Sequence, residues 1–267
     1  MEKTRIGISG AAGRMGKRLV ALGSQDSQLR IAAAVEDARH PQLGMDAGLA
    51  AGVGPLGITI AAQFDADLDA VIDFSVPEAA AAVTLACVAR GIPLVMATTG
   101  LSAEQQARIR EAAATIPVVW APSMSLAVNL TMKLAALAGK TLSSCGADAD
   151  VEIIERHHRF KEDAPSGTAL HFGKLIAREM GQVKETHGRA GRPGIRPRDE
   201  IGYHAVRVGD NPGEHTIVFG MLGETLELTV RASNRDCYAV GALKAAQFVA
   251  RQPAGLYTMF DVLGLAE

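Results

Sequence analysis

The sequence predicts an α/β protein of two domains: an N-terminal parallel sheet with helices on both faces, then an α+β domain on a mostly antiparallel sheet. Three patterns carry that prediction. Up to about residue 125, short apolar runs alternate with helix-like segments, as βα units do. A glycine turn, Gly10–Gly16, lies between the first strand and the first helix. After Ser125 the chain changes to half-buried strands of period two. The first domain is expected over 1–125, completed by a C-terminal segment 236–267, and the second over 126–235.

Arg5-Ile6-Gly7-Ile8-Ser9 reads as an apolar strand, and Met15, Leu19 and Leu22 follow the glycine turn at helical spacing. Strand, glycine turn and helix form the context of a dinucleotide fingerprint. Glycine keeps the turn tight, and the N–H groups of the helix start can approach a pyrophosphate. The spacing here is G-x-x-G-x-x-G, with Ala12 and Met15 where the strict G-x-G-x-x-G has glycine. A plain βα turn carries the same punctuation. The second strand, Leu29 to Val35, is apolar except for Arg30, as a buried parallel strand should be. It ends at Glu36, placed to accept hydrogen bonds from the ribose hydroxyls of NAD; a solvated loop acid is the alternative. The negative charge of Asp37 opposes a 2′-phosphate, while Arg39 and His40 offset it, so NADH is favoured and NADPH stays open.

Ala70 to Phe74, Leu94 to Ala97 and Pro117 to Ala121 supply three more strands of this Rossmann-like sheet. Ser75-Val76-Pro77-Glu78 has capping-box spacing before an alanine-rich helix reaching about Arg90, and Ser102-Ala103-Glu104-Gln105 caps another. Ligands in such sheets bind beyond the carboxyl ends of the strands. The tips at Gly10–Gly16, Glu36, Phe74–Ser75, Ala97–Thr99 and Ala121–Met124 are therefore expected to share one crevice.

In the second half, Leu126, Leu130, Leu134 and Leu137 mark a helix of about four turns. Tyr203 to Val208 and His215 to Phe219 read as strands. Beyond them Leu226, Leu228 and Val230 alternate with Thr225, Glu227, Thr229 and Arg231, leaving a freer face suited to a subunit interface. Tyr238 to Val249 returns to helix. Residues 184–198 hold five Lys/Arg against one acid among glycines and prolines. They read either as a solvated loop or as a mobile basic flap over an anionic substrate.

The segment with most chemistry is Glu155 to Ala169. A strand, Val151 to Glu155, leads to His157-His158, and Pro165-Ser166-Gly167-Thr168 opens a helix striped by Phe172, Leu175, Ile176 and Met180. Histidine moves protons near neutral pH, Lys161 can donate one, and a helix start with glycine and threonine suits a carboxylate. No H-x-x-x-H or acid–histidine spacing supports a metal, and a purely structural role for the histidines is the plainer alternative.

Composition sets the limits. Apolar residues are 48%, charged 21% and aromatic 4% of 267 residues, and the net charge is −2. That is an ordinary globular profile without the basic footprint of a nucleic-acid binder. No apolar run has the length of a membrane helix, and the first strand starts too early to leave room for a signal peptide. Cys87, Cys145 and Cys237 lie far apart, which fits a reducing compartment. The expected location is the cytoplasm, with no membrane and no nucleic-acid partner.

The run Glu155-Arg156-His157-His158-Arg159-Phe160-Lys161-Glu162-Asp163-Ala164-Pro165-Ser166-Gly167-Thr168-Ala169 resembles the signature E-x-H-H-x-x-K-x-D-x-P-S-G-T-A of the 4-hydroxy-tetrahydrodipicolinate (dihydrodipicolinate) reductase family. Gly10 to Gly16, Asp73-Phe74-Ser75, Thr98-Thr99-Gly100, Val206 to Thr216 and Arg231 to Arg235 fit as well, so the resemblance spans essentially the whole chain. It implies a two-domain homotetramer of lysine and diaminopimelate biosynthesis. Such an enzyme reduces a cyclic dicarboxylate with NADH or NADPH and releases water.

By position, the resemblance makes His157 the proton donor and acceptor and Lys161 a second donor. It gives His158, Gly167, Thr168 and Arg235 the substrate carboxylates. It gives Gly10, Ala11, Ala12, Gly13, Arg14, Met15, Glu36, Ala97, Thr98, Thr99, Ala121, Pro122, Ser123 and Met124 the cofactor; no metal is implied. The chain departs from the family pattern at Ala97 (usually glycine), at Ser123-Met124-Ser125 (usually Asn-Phe-Ser) and at Asp37 (basic in some members). Two rivals are an oxidoreductase with the same platform and another small acid, and an NAD-binding regulator, which has no need of a His-His-x-x-Lys cluster.

Overall fold

The computed structural model describes residues 2–266, which form two compact units. One gathers the chain up to Leu126 with the stretch from Arg235 onward; the other is Ala127–Asn234. Leu126 and Arg235, read from sequence as the ends of the second domain, fall in the first unit. Leu126 packs against its core, and Arg235 is the N-cap residue of its long C-terminal helix.

The first unit begins with β1 (Thr4–Ser9), α1 (Arg14–Gln25), β2 (Leu29–Val35), α2 (Ala47–Ala51), β3 (Ile60–Ala61), β4 (Ala70–Asp73), α3 (Pro77–Arg90), β5 (Leu94–Met96), α4 (Ala103–Ala112) and β6 (Pro117–Trp120). The chain then builds the second unit from α5 (Leu126–Ser144), β7 (Asp150–His157), α6 (Gly167–Met180), β8 (Lys184–His187), β9 (Glu200–Arg207), β10 (Glu214–Met221) and β11 (Glu224–Arg231). It returns to the first through α7 (Asp236–Val249), β12 (Gly255–Tyr257) and α8 (Met259–Val262).

The first sheet has seven strands in the order β12-β6-β5-β4-β1-β2-β3, all parallel. Its strands are apolar on both sides because helices cover both faces. Ile6, Ile8, Ile72, Val95 and Val119 join Leu19 and Val20 of α1 and the alanine-rich side of α7 in one buried cluster. Val71, Leu94, Met96 and Val118 join α3 and α4 in another.

Ser75 does not cap α3. The N-cap is Val76 without a side-chain cap, because Pro77 lacks an N–H and its fixed φ suits the first helical position. The Ser75 N–H instead turns back to Asp73 Oδ1 at 3.3 Å. The expected capping box at Ser102 and Gln105 is present.

The second sheet runs β11-β10-β7-β9-β8 and is mixed. β11/β10 and β10/β7 are antiparallel, whereas β7/β9 and β8/β9 are parallel. The expectation of a mostly antiparallel sheet did not use the helix expected from Pro165 onward as a crossover; α6 returns the chain in the direction in which it left β7. Residues 184–187, expected as loop, form the edge strand β8; its polar sequence hides the strand because little of it is buried. α5 runs over five turns, and its buried face is Val128, Met132, Ala135 and Gly139 rather than the leucines, of which Leu130, Leu134 and Leu137 are exposed.

Candidate active site

In the second unit, the strand β7 alternates its side chains, so Glu155 and His157 point to the same covered face. Glu155 is fully buried, and its carboxylate accepts four hydrogen bonds. His157 Nδ1 donates to Oε2 at 2.5 Å, and Arg207 of β9 donates through Nη1 to Oε2 at 2.8 Å and through Nη2 to Oε1 at 2.7 Å. The Ser166 N–H supplies the fourth, to Oε1 at 3.1 Å. Register explains the convergence. His157 lies opposite Arg207 across the β7/β9 pair, and Glu155 lies opposite His215 across β7/β10.

Burial alone would push the Glu155 carboxyl up, but the hydrogen bonds from His157 and Arg207 outweigh it and hold the group at about 2. An ionised carboxylate only accepts, so His157 Nδ1 carries a proton and Nε2 is the free ring nitrogen. His215 packs edge-on against the His157 ring, with centroids 5.2 Å apart. Burial, then the neighbouring His157, pushes its own imidazole down to about 4. His215 Nε2 and the Ser166 hydroxyl are hydrogen-bonded at 3.1 Å, and the same hydroxyl accepts the Ala169 N–H as the cap of α6.

Lys161 lies in the turn after β7, where Nζ pairs with Asp163 Oδ1 at 2.8 Å. Arg207 Nη2 also donates to the Asp163 carbonyl at 2.6 Å, so one guanidinium braces both the carboxylate behind His157 and the turn that carries Lys161. His158 Nδ1 is buried without a hydrogen-bond partner. Gly167 and Thr168 form the first turn of α6, and a Cβ on Gly167 would meet nothing within 4 Å. That open space in front of a helix start admits an anion. Arg235 is exposed at the head of α7 in the other unit.

In the first unit, Gly10 adopts φ +75°, and a Cβ there would stand 2.8 Å from the Phe74 carbonyl. A Cβ on Gly16 would come within 2.1 Å of the Gly10 carbonyl, so α1 meets the turn only because that atom is missing. Gly13 heads α1 without a side-chain cap, and the Glu36 carboxylate accepts the Ala12 N–H at 3.0 Å. An uncapped helix start over a glycine cradle, with an acid at its flank, fits the pyrophosphate and ribose of a dinucleotide. Asp37 is held by Arg39, Nε to Oδ1 at 3.1 Å.

At the next tips, Ala97 N–H bonds to the Asp73 carbonyl at 3.0 Å, and Thr98 Oγ1 donates to Asp73 Oδ2 at 2.9 Å. The Ala97 methyl is buried within the core rather than added to the surface. Ala121 and Met124 also join that core, Ser123 is buried, and Pro122 and Thr99 are exposed. The strap 121–124 lies close under α7, because Gly241 admits the Met124 carbonyl where a Cβ would stand at 1.7 Å.

Most of the charge of the basic segment 184–198 is paired rather than free for an anion. Arg189 and Arg196 both bind Glu152, Arg189 also binds Glu200, and Arg196 reaches Asp150. The acids that claim these arginines stand on β7, at its start and at the start of β9, which linear reading does not reveal. Sequence reasoning also gave no role to Glu155, Ser166, Arg207 or His215. Glu155 was legible as the residue two before His157 on a strand; Arg207 and His215 needed the sheet register.

The first unit is thus a dinucleotide-binding fold, and the second sets an imidazole and an ammonium group at the end of one strand and its following turn, an arrangement compatible with a nicotinamide-dependent oxidoreductase. Family models described as dihydrodipicolinate reductase, N-terminus and C-terminus, match residues 4–124 and 127–263. The 4-hydroxy-tetrahydrodipicolinate reductase of Rhodopirellula baltica is 58% identical over 97% of this chain and 96% of its own. That of Alkalilimnicola ehrlichii is 47% identical over 98% and 99%. A dipicolinate-bound dihydrodipicolinate reductase from Paenisporosarcina superposes with a TM-score of 0.76 at 24% identity, covering 97% of this chain and 98% of that one, a likeness of fold. The chain belongs to the dihydrodipicolinate reductase family and is an oxidoreductase of the reduction step for which that family is named.

Proposed function

We propose that the chain reduces 4-hydroxy-tetrahydrodipicolinate to tetrahydrodipicolinate with loss of water, in lysine and diaminopimelate biosynthesis, using NADH in preference to NADPH. The observation that carries the reading is the buried Glu155–His157 pair beside Lys161 and an open helix start. The bound nicotinamide nucleotide supplies the hydride. His157 holds and moves a proton at Nε2, and Lys161 Nζ is the second donor. His158, with its buried unpartnered Nδ1, binds a substrate carboxylate together with the Gly167–Thr168 amides, and Arg235 serves the same end. Gly10 to Met15, Glu36, Ala97 to Thr99 and Ala121 to Met124 bind the cofactor. Asp37 supports the NADH preference, since it neutralises Arg39 before a 2′-phosphate can use it.

The reading extends to a homotetramer in the cytoplasm that binds a small dicarboxylate and neither nucleic acid nor membrane. No helix among the described residues is long and apolar enough to cross a membrane. The test follows nicotinamide absorbance with NADH and with NADPH, the substrate being made in place by condensing pyruvate with aspartate semialdehyde. Turnover should be faster with NADH at equal concentration. His157→Ala and Lys161→Ala should each lower kcat by about 10²–10⁴-fold with NADH affinity retained. A protein that binds NADH but oxidises none of it, or a double variant with full turnover, would overturn the reading.

A further inference from the structure

Outside the residues given a role above, the second unit holds one largely buried, hydrogen-bonded assembly. It comprises Glu155, Arg207, Ser166 and His215. We propose that Glu155 and Arg207 are positioning residues for the proton chemistry: Glu155 fixes the proton on His157 Nδ1 so that Nε2 faces the substrate, and Arg207 locks Glu155 and the Lys161 turn in one frame. This inference rests on the proton role proposed for His157.

The geometry argues for a built device rather than a stray ion pair. A buried carboxylate is costly unless its acceptor sites are filled. Here His157, both terminal nitrogens of Arg207 and the Ser166 N–H fill them, at 2.5 to 3.1 Å. The fork geometry is available to arginine and not to lysine. Arg207 then uses Nη2 a second time, on the Asp163 carbonyl at 2.6 Å, and Asp163 is the residue paired with Lys161. The two proposed proton donors are therefore held by a single guanidinium. Below the ring, His215 is buried and edge-on to His157, and its link to Ser166 ties the imidazole floor to the cap of α6.

The charged and titratable groups facing His157 are Glu155 on its own strand, Arg207 on β9, His215 on β10, and Lys161 with Asp163 in the turn. Of these, Glu155 is the one anion in hydrogen-bond contact with the ring. Replacing it with a neutral amide removes the negative charge in contact with the ring and also permits the wrong tautomer.

The test compares wild type, Glu155→Gln, Arg207→Gln, Arg207→Lys and His157→Ala by pH profiles of kcat and kcat/KM, with NADH affinity and thermal midpoint alongside. Glu155→Gln should lower kcat about 10–100-fold, as loss of a partner that orients a histidine does. It should also displace a limb of the pH profile relative to wild type, because the negative charge beside the proposed proton carrier is gone. Arg207→Gln should lower kcat with NADH affinity unchanged, and Arg207→Lys should fall between it and wild type. A Glu155→Gln enzyme with an unmoved limb overturns the proposal, whether its rate is normal or falls only in step with lost stability. Should Glu155→Gln fail to fold, the Arg207 pair decides: equal activity of Arg207→Gln and wild type overturns it. Full activity of His157→Ala would remove the underlying proton role instead, so the two failures are separable.

Discussion

Acid acts on four side chains of the second unit through two different windows. Glu155 and Glu152 are held at about 2 against an ordinary 4.5; burial opposes this, and paired arginine and histidine donors overcome it. Their folded values are depressed, so their stabilisation is complete above about 4.5 and is lost as pH falls from there toward 2. His215 is held near 4 against 6.5 by burial. The unfolded chain therefore takes up its proton first, and stability begins to fall already below 6.5. His171, also lowered by burial, adds to the same slope. Denaturant midpoints measured against pH should show loss in both windows. His215→Gln should flatten the upper one while leaving the lower one in place, and an unchanged slope between 6.5 and 4 would contradict the assignment.

Two glycines of similar appearance in the sequence also separate at this scale. Gly16→Ala forces a methyl against the Gly10 carbonyl, and the backbone on both sides has no room to yield. It should cost about 1–3 kcal/mol and abolish nucleotide binding, read by a thermal scan and by NADH fluorescence titration. Gly167→Ala places its methyl in open space, so the thermal midpoint should hold while KM for the substrate rises.

Among the elements, α6 joins the fold to the site, since its first turn carries Gly167 and Thr168 and its body packs on β9. Gly173 is the contact point: a Cβ there would lie 1.8 Å from the Tyr203 hydroxyl, itself on a buried side chain. Gly173→Ala should push the helix off the sheet, lowering stability by about 1–3 kcal/mol and raising substrate KM with NADH affinity unchanged. A normal KM would mean that the helix start tolerates the shift. The elements that sequence made legible share one trait, a strong local pattern. β2 and β5 are runs of apolar residues broken only by Arg30, α4 announces its capping box, and the glycine turn before α1 has steric work at Gly10 and Gly16. The illegible ones owe their form to distant partners. β8 is a polar edge strand held by β9, and Arg189 and Arg196 are bound by acids far off in sequence. The leucines of α5 mark the helix but not its buried side.

For the whole molecule, the outer face of the second sheet carries a row of His204, Ile154, Thr216 and Thr229 beside a row with Val206, Arg156 and Glu214, and the two threonine hydroxyls bond to each other at 3.0 Å. Ile154 and Val206 remain well exposed. A sheet face of this composition, left uncovered, is the surface through which we expect four copies to assemble. Light scattering should return four times the 27.9 kDa chain mass. Charged replacements at Ile154 and Val206 should lower that mass, and a monomer at assay concentration would exclude the tetramer.

The order in which the chain is written has a consequence for its manufacture. β12 pairs with β6 at the edge of the first sheet, and α7 supplies Ala239, Ala242, Leu243, Ala246 and Val249 to that sheet's core. Until a ribosome has passed these residues, the nascent first unit has an open strand edge and an uncovered apolar face. The second unit, encoded without interruption by Ala127–Asn234, has all its strands in hand by then. The domain synthesised first is thus the one completed last, and its bare edge is where a holdase chaperone would find its substrate.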